Sequence, residues 1–251
     1  MSRTWLPPAG VVVAALLLWS VAAALHLYPE SVFPSPRSVW AGFGEELRSG
    51  RLFGDIVASL FRVGVGFGLA VILGIPAGLW LGHRAYARAA LVPAVNFFRS
   101  LSPLAWIPFA ILWFGIGDRP AIFLIFLAAF FPLVLATSVA VGGIPSVYFR
   151  VARDHGFSGW ELVTKVTFPA ILPQVITALR VTAGLSWLVV VAAEMIAGRD
   201  GLGFAILDAR NGLRIDLVVV AMIVIGTIGV VIDRLLSGLT NIPSARWGYE
   251  R

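Results

Sequence analysis

Cysteine is absent from the 251 residues, and lysine occurs once, at Lys165. Without cysteine the chain can form neither a disulfide framework nor a cysteine-ligated metal site. A phosphate-binding loop of the type G-x-x-x-x-G-K-[ST] needs a lysine that follows a glycine-rich turn. Lys165 stands in the stretch VTKVTF, with no glycine loop before it. Any ATP hydrolysis that this protein uses must therefore take place on another chain.

Charge is also scarce. Charged residues make up 13% of the chain and hydrophobic residues 59%, with a mean hydropathy of +0.92. This balance is typical of a multi-pass membrane protein. The net charge of +6 is almost all arginine, which in such a chain indicates contact with anionic lipid and membrane orientation rather than nucleic-acid binding.

Clusters that could carry out catalysis are missing as well. The three histidines, His26, His83 and His155, are scattered and lack the spacing of a metal site. No apolar stretch carries two carboxylates three or four residues apart. The sequence therefore predicts no catalytic residue, no metal ligand and no cofactor held by this chain.

Apolar stretches long enough to cross a bilayer, about 20 residues each, recur along the whole length. We predict an all-α polytopic membrane protein with a single transmembrane domain covering residues 1–251. Its six spans are roughly 9–27, 56–82, 89–115, 120–141, 171–197 and 217–239. The first stretch could instead be a cleaved signal peptide, with Ala22 and Ala24 at the cleavage site. An uncleaved first helix is the simpler interpretation, because every later stretch is also a span.

Arginine and lysine near the ends of the spans predict the orientation. With the amino end inside, the inner segments hold nine of these residues and the outer segments seven. We therefore expect both chain ends in the cytoplasm. Two segments are long enough to form structure outside the spans. They are the outer segment 28–55, whose short amphipathic helix after Ser38 either seats an external partner or covers the bundle, and the inner segment 142–170, called the insert below.

Glycines recur inside the second span at four-residue spacing, which favours close approach of another helix over gating. They are Gly64, Gly68, Gly74, Gly78 and Gly82. Prolines that predict kinks within spans are Pro76, Pro103, Pro108 and Pro132.

Five ionisable residues fall inside or at the inner end of a predicted span: Arg62, Arg99, Arg180, Glu194 and Asp233. At mid-depth each costs about 2.5–3.5 kcal/mol in lipid, so each should face protein or water. Arg99, with Ser100 and Ser102 beside it, could line a path for an anion. It could equally cap carbonyls near Pro103 or pair with Glu194. Glu194 could form an ion pair or a gate contact. The predicted translocation path consists of Arg99, Ser100, Ser102 and Glu194.

The insert contains the polar stretch HGFSGWELVTKVTFPAILPQ, residues 155–174. Its apolar residues repeat every three or four positions, which indicates an amphipathic helix. Gly156 before it suits a bend, and we expect Pro169 and Pro173 to end it and start the next span. The helix either lies on lipid or projects from the membrane as a contact surface for a soluble partner.

The insert resembles the cytoplasmic signature of the permeases of binding-protein-dependent ABC importers, which reads E-A-A, three residues, G, nine residues, then I-x-L-P. In RVARDHGFSGWELVTKVTFP, Ala152, Gly156 and Val166 stand at matching positions, and Phe168 and Pro169 match the closing pair. Arg150 replaces the leading glutamate and Val151 the first alanine. From this resemblance, and because aromatic residues often anchor interfaces, we expect the residues that couple to the ATPase to be Arg150, Ala152, Arg153, Gly156, Phe157, Trp160, Val166 and Pro169.

Further stretches, including SLFRVGVGFGLA, RSLSPLAWIPFAILWFGIGD and LSWLVVVAAEMIAGRDGLGFAILDAR, are similar to permeases of the subgroup that imports nitrate, bicarbonate, taurine and alkanesulfonates. The similarity runs from about residue 33 to 236. It implies the type I ABC importer permease fold, with a cytoplasmic coupling helix, in the inner membrane of a bacterium.

The resemblance also implies partners and a mechanism. They are a second permease copy, two cytoplasmic ATPase subunits that hold ATP and Mg²⁺, and an external solute-binding protein. Together these would import a small anion by alternating access. The alternative from the residues alone is a stand-alone channel or secondary transporter for a small anion. An intramembrane enzyme would need a nucleophile with a base, or a metal cluster, and the sequence supplies neither.

Overall fold

The computed structural model describes residues 6–25 and 28–241, and every regular element in those ranges is helical, as predicted. The α-helices are α1 (Leu6–Ala24), α2 (Pro36–Ser49), α3 (Arg51–His83), α4 (Ala85–Ser100), α5 (Ile107–Phe114), α6 (Asp118–Gly142), α7 (Ser146–Asp154), α8 (Gly159–Leu162), α9 (Phe168–Ala197), α10 (Leu202–Asn211) and α11 (Ile215–Gly238). Short 3-10 turns lie at Pro103–Trp106 and Leu239–Asn241, and a π-helical turn lies at Val163–Thr167.

Four of these helices are long and apolar enough to cross a membrane: α3, α6, the continuous helix Gly159–Ala197 and α11. A fifth crossing is present if α4 and the helical pair Pro103–Phe114 count as one span. Within the predicted first span, residues 10–24 form an apolar helix that is shorter than these. His26 and Leu27, at the end of that predicted span, lie outside the described residues.

The third predicted span is bent rather than straight. Its two halves meet at 83°, because Leu101 and Ser102 are extended, with ψ values of 128° and 127°. A proline disfavours helical geometry in the residue before it, and Ser102 precedes Pro103. The bend therefore falls where the proline pattern predicts a kink, and it is sharper than a kink within a continuous helix.

Helix α6 lies at the centre of the fold and packs along both α3 and α9. These two helix–helix contacts are the most extensive in the structure. Leu124, Ile125 and Leu133 of α6 are fully buried between these neighbours. The end of the molecule where α3 and α6 stop and the helix Gly159–Ala197 begins is called the insert end below. The opposite end holds the start of α6, the end of α9 and α10.

Small residues of α3 make the close contact with α6. A Cβ at Gly78 would lie 2.6 Å from Cβ of Thr137, and one at Gly66 would lie 2.8 Å from the carbonyl oxygen of Ile122. The full set at this contact is Gly66, Ala70, Gly74, Gly78 and Gly82, one residue every four. The predicted packing role of Gly74, Gly78 and Gly82 is confirmed. The prediction for Gly64 and Gly68 is wrong within the described chain, because a Cβ at either position would meet no atom within 4 Å.

Candidate functional site

The insert folds into two helical arms joined by a tight turn. The first arm is α7, and the second begins at Gly159 and runs on as one helix to Ala197. Between them Gly156 has φ +79°, in the left-handed region that glycine adopts without strain. The N–H of Phe157 donates to the carbonyl oxygen of Ala152 at 2.9 Å and closes the turn. The bend expected at Gly156 is therefore present.

The expectation that Pro169 and Pro173 would end the insert helix is wrong. The helix passes through both prolines without a break. Proline lacks an N–H and crowds the carbonyl four residues earlier. A π-helical turn directly precedes Pro169, and there the N–H of Phe168 donates to Val163, five residues back instead of four. This wider turn changes the hydrogen-bond register ahead of the proline, so the helix continues into the membrane.

The aromatic residues of the second arm differ in exposure. Trp160 is 77% exposed on α8. Phe157 is half-buried beneath Lys165, whose Nζ lies 5.0 Å from the ring centroid, and Lys165 also donates to Glu161 at 2.8 Å. Trp160 is therefore the large apolar side chain that this arm presents, since large exposed aromatics commonly anchor protein interfaces.

The arginines of the first arm are exposed on the surface of α7. Arg150 donates to Oγ of Ser146 at 3.4 Å, and Nε of Arg153 donates to the carbonyl oxygen of Phe149 at 3.2 Å. Both contacts stay within α7. The helix thus presents two cations, where the resemblance leads one to expect a glutamate at the position of Arg150.

Four of the predicted contact residues line one groove between the two arms, with a cavity volume of about 1040 Å³. They are Ala152, Phe157, Val166 and Pro169. Ala152 is only 4% exposed, so it packs the base of the groove and offers little surface to a partner. The structure therefore divides the predicted set into groove-lining residues and residues, such as Trp160, that project outward.

The predicted translocation residues Arg99, Ser100 and Ser102 lie together at the bend after α4, and all three are exposed. The hydroxyl of Ser100 donates to the carbonyl oxygen of Asn96 at 2.9 Å. No hydrogen bond or ion pair reaches the guanidinium of Arg99 from any residue in ranges 6–25 and 28–241. Neither alternative suggested by sequence, carbonyl capping or pairing with Glu194, is seen there.

Glu194 lies in a buried charge cluster at the opposite end. Its side chain is 0% exposed and accepts from Nη1 of Arg62 at 2.7 Å. Arg62, 1% exposed, also donates through Nε to Asp118 at 2.8 Å and pairs with the carboxylate of Asp200. The carbonyl oxygen of Asp200 accepts from Nη1 at 2.9 Å. Of the two roles open for Glu194, the structure shows the ion pair, and it does not bring Glu194 together with Arg99.

The same cluster caps the start of α10 with side chains from other helices. The N–H of Gly201 donates to Asp55 at 2.8 Å, that of Leu202 to Ser59 at 3.0 Å, and that of Gly203 to Glu194 at 2.9 Å. The first backbone N–H groups of a helix have no partner within it, so these acceptors stabilise the amino end of α10. The sequence alone does not predict this arrangement. Its only signal is that acidic residues stand near the span ends beside an intramembrane arginine.

Two further ion pairs tie α11 to its neighbours. Arg180 of α9 donates to Asp233 at 2.9 Å. Outside the spans, Arg214 donates to Glu45 of α2 at 2.8 Å and to Asp216 at 2.9 Å. Hydrogen bonding and the positive charge of Arg214 lower the pKa of Glu45, and hydrogen bonds to Asp216 and Glu45 raise the pKa of Arg214. These contacts hold α2, whose Ser35 caps its first turn, against α11.

Comparison with known proteins places these features in a family. Residues 70–241 match the family described as the binding-protein-dependent transport system inner membrane component. The chain is 38% identical to the nitrate import permease protein NrtB of Synechocystis sp., over 75% of this chain and 68% of that protein. It is 40% identical to the bicarbonate transport system permease protein CmpB of Synechococcus elongatus, again over 75% and 68%. A probable ABC transporter permease protein of Brucella melitensis is 40% identical over 82% of this chain and 83% of its own length.

Among solved structures, the chain is similar to a subunit of the MetNI methionine ABC transporter in an inward-facing conformation. The TM-score is 0.62 and the identity 21%, with 76% of this chain and 96% of that chain covered. At this identity the match concerns the fold, which is that of a type I ABC importer permease.

Proposed function

The chain belongs to the family of binding-protein-dependent transport system inner membrane components, and from this premise we propose that it carries a small anion across the membrane. It is the permease subunit of an ABC importer, a multi-pass inner membrane protein and a transport component rather than an enzyme. Membership also implies association with an ATPase and a substrate-binding protein. We further propose the class of its substrate, a homodimer and the site of ATPase contact.

The observation that carries the choice of substrate is the free guanidinium at the bend. We place the start of α4 at the inner membrane surface. Arg99 lies 14 residues after Ala85, which is about 21 Å along a helix of 1.5 Å rise per residue, so this placement puts it inside a bilayer core of about 30 Å. An arginine at that depth must face water or protein. Its planar fork of donors suits the oxygen atoms of nitrate, bicarbonate or a sulfonate. The nitrate and bicarbonate permeases among the relatives support the same class.

The proposed path needs a second copy of the chain. Arg99, Ser100 and Ser102 are exposed in the single chain, and a partner permease facing them would enclose an aqueous path between the two. We therefore propose a homodimer, with the bend of each copy turned toward the other. Alternating access would then come from rocking of the two bundles.

The insert is the proposed contact for the ATPase, with both chain ends and the insert on the cytoplasmic side. Trp160 projects from the second arm, and Arg150 and Arg153 add positive charge on the first arm. ATP and Mg²⁺ are assigned to the ATPase subunits, two for each pair of permeases. The rival function, a stand-alone channel or secondary transporter, requires none of these contacts.

Transport measurements with the complete system test the substrate class. The permease, its ATPase and its binding protein are reconstituted in liposomes, and ATP-dependent uptake of nitrate, bicarbonate, taurine and an alkanesulfonate is measured. We expect one of these anions to be imported, and Arg99→Gln to reduce that uptake by about tenfold or more, because a charge-assisted contact to the anion is lost. Arg234→Gln removes the same charge from the exposed surface of α11, away from the proposed path and contact surfaces, and should leave uptake unchanged.

Two results would contradict the proposal. Uptake by Arg99→Gln equal to that of the unaltered protein would remove the anion-binding role of Arg99. Substrate flux through the permease alone, without ATP, ATPase or binding protein, would favour the stand-alone transporter instead.

A further inference from the structure

His83, the last residue of α3, connects that membrane helix to the insert. Its Nδ1 lies 2.8 Å from the carbonyl oxygen of Leu79, and its Nε2 lies 3.1 Å from Oγ1 of Thr167. A carbonyl oxygen only accepts hydrogen bonds, so Nδ1 carries the hydrogen, and in the neutral ring Nε2 then accepts from the hydroxyl of Thr167. The contact with Leu79 thus fixes the ring so that its second nitrogen faces the insert.

Thr167 closes the π-helical turn and is fully buried. It is the only residue of that turn with no exposed surface. Single π-helical turns within α-helices occur frequently at functional sites. Here the turn lies where the amphipathic arm of the insert continues into the transmembrane part of α9, so Thr167 sits at the point where movement of the insert enters the membrane helix.

The ring of His83 also touches the other arm of the insert. It meets the ring of Phe149 in α7 edge-on, with centroids 6.1 Å apart. One side chain at the end of α3 therefore contacts both arms, by a hydrogen bond on one side and a ring contact on the other. A displacement of the insert that keeps these contacts must move the end of α3 with it.

Packing along α3 carries such a displacement further. Directly before His83, Gly82 faces Val141, and Gly78 faces Thr137 and Val134 of α6 with no room for a Cβ. On the insert side, Val141 and Ile171 belong to one buried cluster with Leu79 packed against it. Tightly packed interiors transmit strain rather than absorb it. Helix α3 therefore contacts the insert at its end and packs tightly on α6 along its length.

We propose that the hydrogen bond between His83 and Thr167 is the joint that transmits movement of the insert to α3 and α6. His83 and Thr167 are then positioning residues for transport, acting without contact to substrate or ATP. This inference rests on the proposed function, because it takes the insert as the place where the ATPase delivers work.

Removal of the Thr167 hydroxyl tests the joint. Thr167→Val keeps the shape of the side chain and loses the donor, whereas Thr167→Ser keeps the donor. The reconstituted importer is assayed for substrate imported per ATP hydrolysed, together with the amount of ATPase that copurifies with the permease. We expect Thr167→Val to lower import per ATP about two- to tenfold, the effect of one hydrogen bond on an equilibrium, with normal ATPase copurification. Thr167→Ser should restore most of the ratio.

Thr164 supplies the matched control. It lies in the same π-helical turn, but it is exposed and its hydroxyl donates to the carbonyl oxygen of Trp160 in α8, four residues earlier, at 3.0 Å. Thr164→Val should leave import per ATP unchanged. His83→Phe keeps a ring beside Phe149 and loses both hydrogen bonds, so it should match Thr167→Val, and the double variant should be no worse than either single one.

An unchanged ratio in Thr167→Val, or additive losses in the double variant, would overturn the joint. Loss of ATPase copurification in Thr167→Val would also overturn it, because the hydroxyl would then serve docking rather than transmission. Failure of the proposed docking surface has a different signature, namely normal ATPase binding when Trp160 is replaced.

Discussion

Arg62 lies in the membrane part of α3, where surrounding oxygen atoms stabilise its charge. Glu194, Asp118 and Asp200 all accept hydrogen bonds from its guanidinium, and the first of these is itself fully buried. When an ion pair is buried away from water, removing both charged side chains costs a protein much less stability than removing one. After a single removal, the remaining charge is buried without compensation. The stability of this end of the protein therefore depends on the whole cluster.

Replacement of Arg62 by leucine tests this dependence. We expect Arg62→Leu to lower the free energy of unfolding by about 3–5 kcal/mol, since Glu194 is left buried and unpaired. Unfolding of the purified protein in detergent, followed by tryptophan fluorescence, measures the change. Lys165→Leu is the control: it breaks a pair whose side chains are 55% and 56% exposed, which should cost about 0–1 kcal/mol.

The double variant Arg62→Leu/Glu194→Gln removes both charges and keeps an oxygen acceptor for the N–H of Gly203, so it should recover part of the lost stability. A double variant less stable than Arg62→Leu would show that burial of the Glu194 charge is not the cause of the loss.

Helix α3 packs against α6 through a row of small residues. Gly66, Ala70, Gly74, Gly78 and Gly82 repeat every four residues on the side that faces α6. In a membrane, small residues allow backbones to approach closely and pack where lipid gives no hydrophobic drive. Several large residues of the same helix, among them Ile72 and Leu73, are exposed, as expected of a surface that meets lipid or a second copy.

Two glycine-to-alanine variants in α3 should differ in their effect on stability. At Gly78 the new Cβ would lie 2.7 Å from the carbonyl oxygen of Val134, which is backbone and cannot swing aside. We expect Gly78→Ala to lower the free energy of unfolding by about 1–2 kcal/mol, because overpacking outweighs the gain in helix propensity. Gly68→Ala meets no atom within 4 Å and should be neutral or stabilising by up to about 1 kcal/mol.

Thermal unfolding of both variants in the same detergent provides the measurement. A Gly78→Ala protein as stable as Gly68→Ala would mean that α3 and α6 do not pack as closely as described.

At the scale of the whole molecule, the two ends have different constructions. The opposite end is held by the buried cluster around Arg62, by the capped start of α10 and by the contact of Arg214 with α2. The insert end has an open groove and projecting side chains, with Trp160 foremost. A rigid end and an end open to partners fit a permease that receives work on one side of the membrane and conveys it through packed helices.

The proposed assembly predicts two permeases and two ATPases in the purified complex, which native mass spectrometry would count. We expect Trp160→Ala to reduce the copurified ATPase about tenfold or more, since buried interface aromatics often contribute over about 2 kcal/mol. Trp40→Ala is the matched control, because Trp40 on α2 is 76% exposed, against 77% for Trp160, and lies in the segment predicted to face outside.

Full ATPase binding by Trp160→Ala would move the docking surface away from the second arm of the insert. A complex with a single permease would contradict the homodimer and the path between two copies.

The class of structure and much of the family assignment follow from the order of the amino acids alone. Apolar runs of about 20 residues force helices, because a backbone in lipid must satisfy its hydrogen bonds within the segment. The single lysine outside any glycine loop excluded a phosphate-binding loop of that type, and Gly156 marked a bend because glycine has no Cβ and so adopts positive φ without strain. Each of these follows from local chemistry, which needs no knowledge of neighbours.

Which distant residues meet depends on how the helices pack, and local sequence does not specify it. Glu194 pairs with Arg62, and Arg99 has no partner in the described chain, although sequence allowed an Arg99–Glu194 pair. Gly66 faces α6 and Gly64 does not. Each belongs to a row of glycines spaced for one face of a helix, so the spacing alone does not tell which row meets the partner helix. Pro169 continues a helix because a π-helical turn adjusts the bonds before it. Such choices depend on packing between elements far apart in the chain, and that packing is decided when the helices assemble.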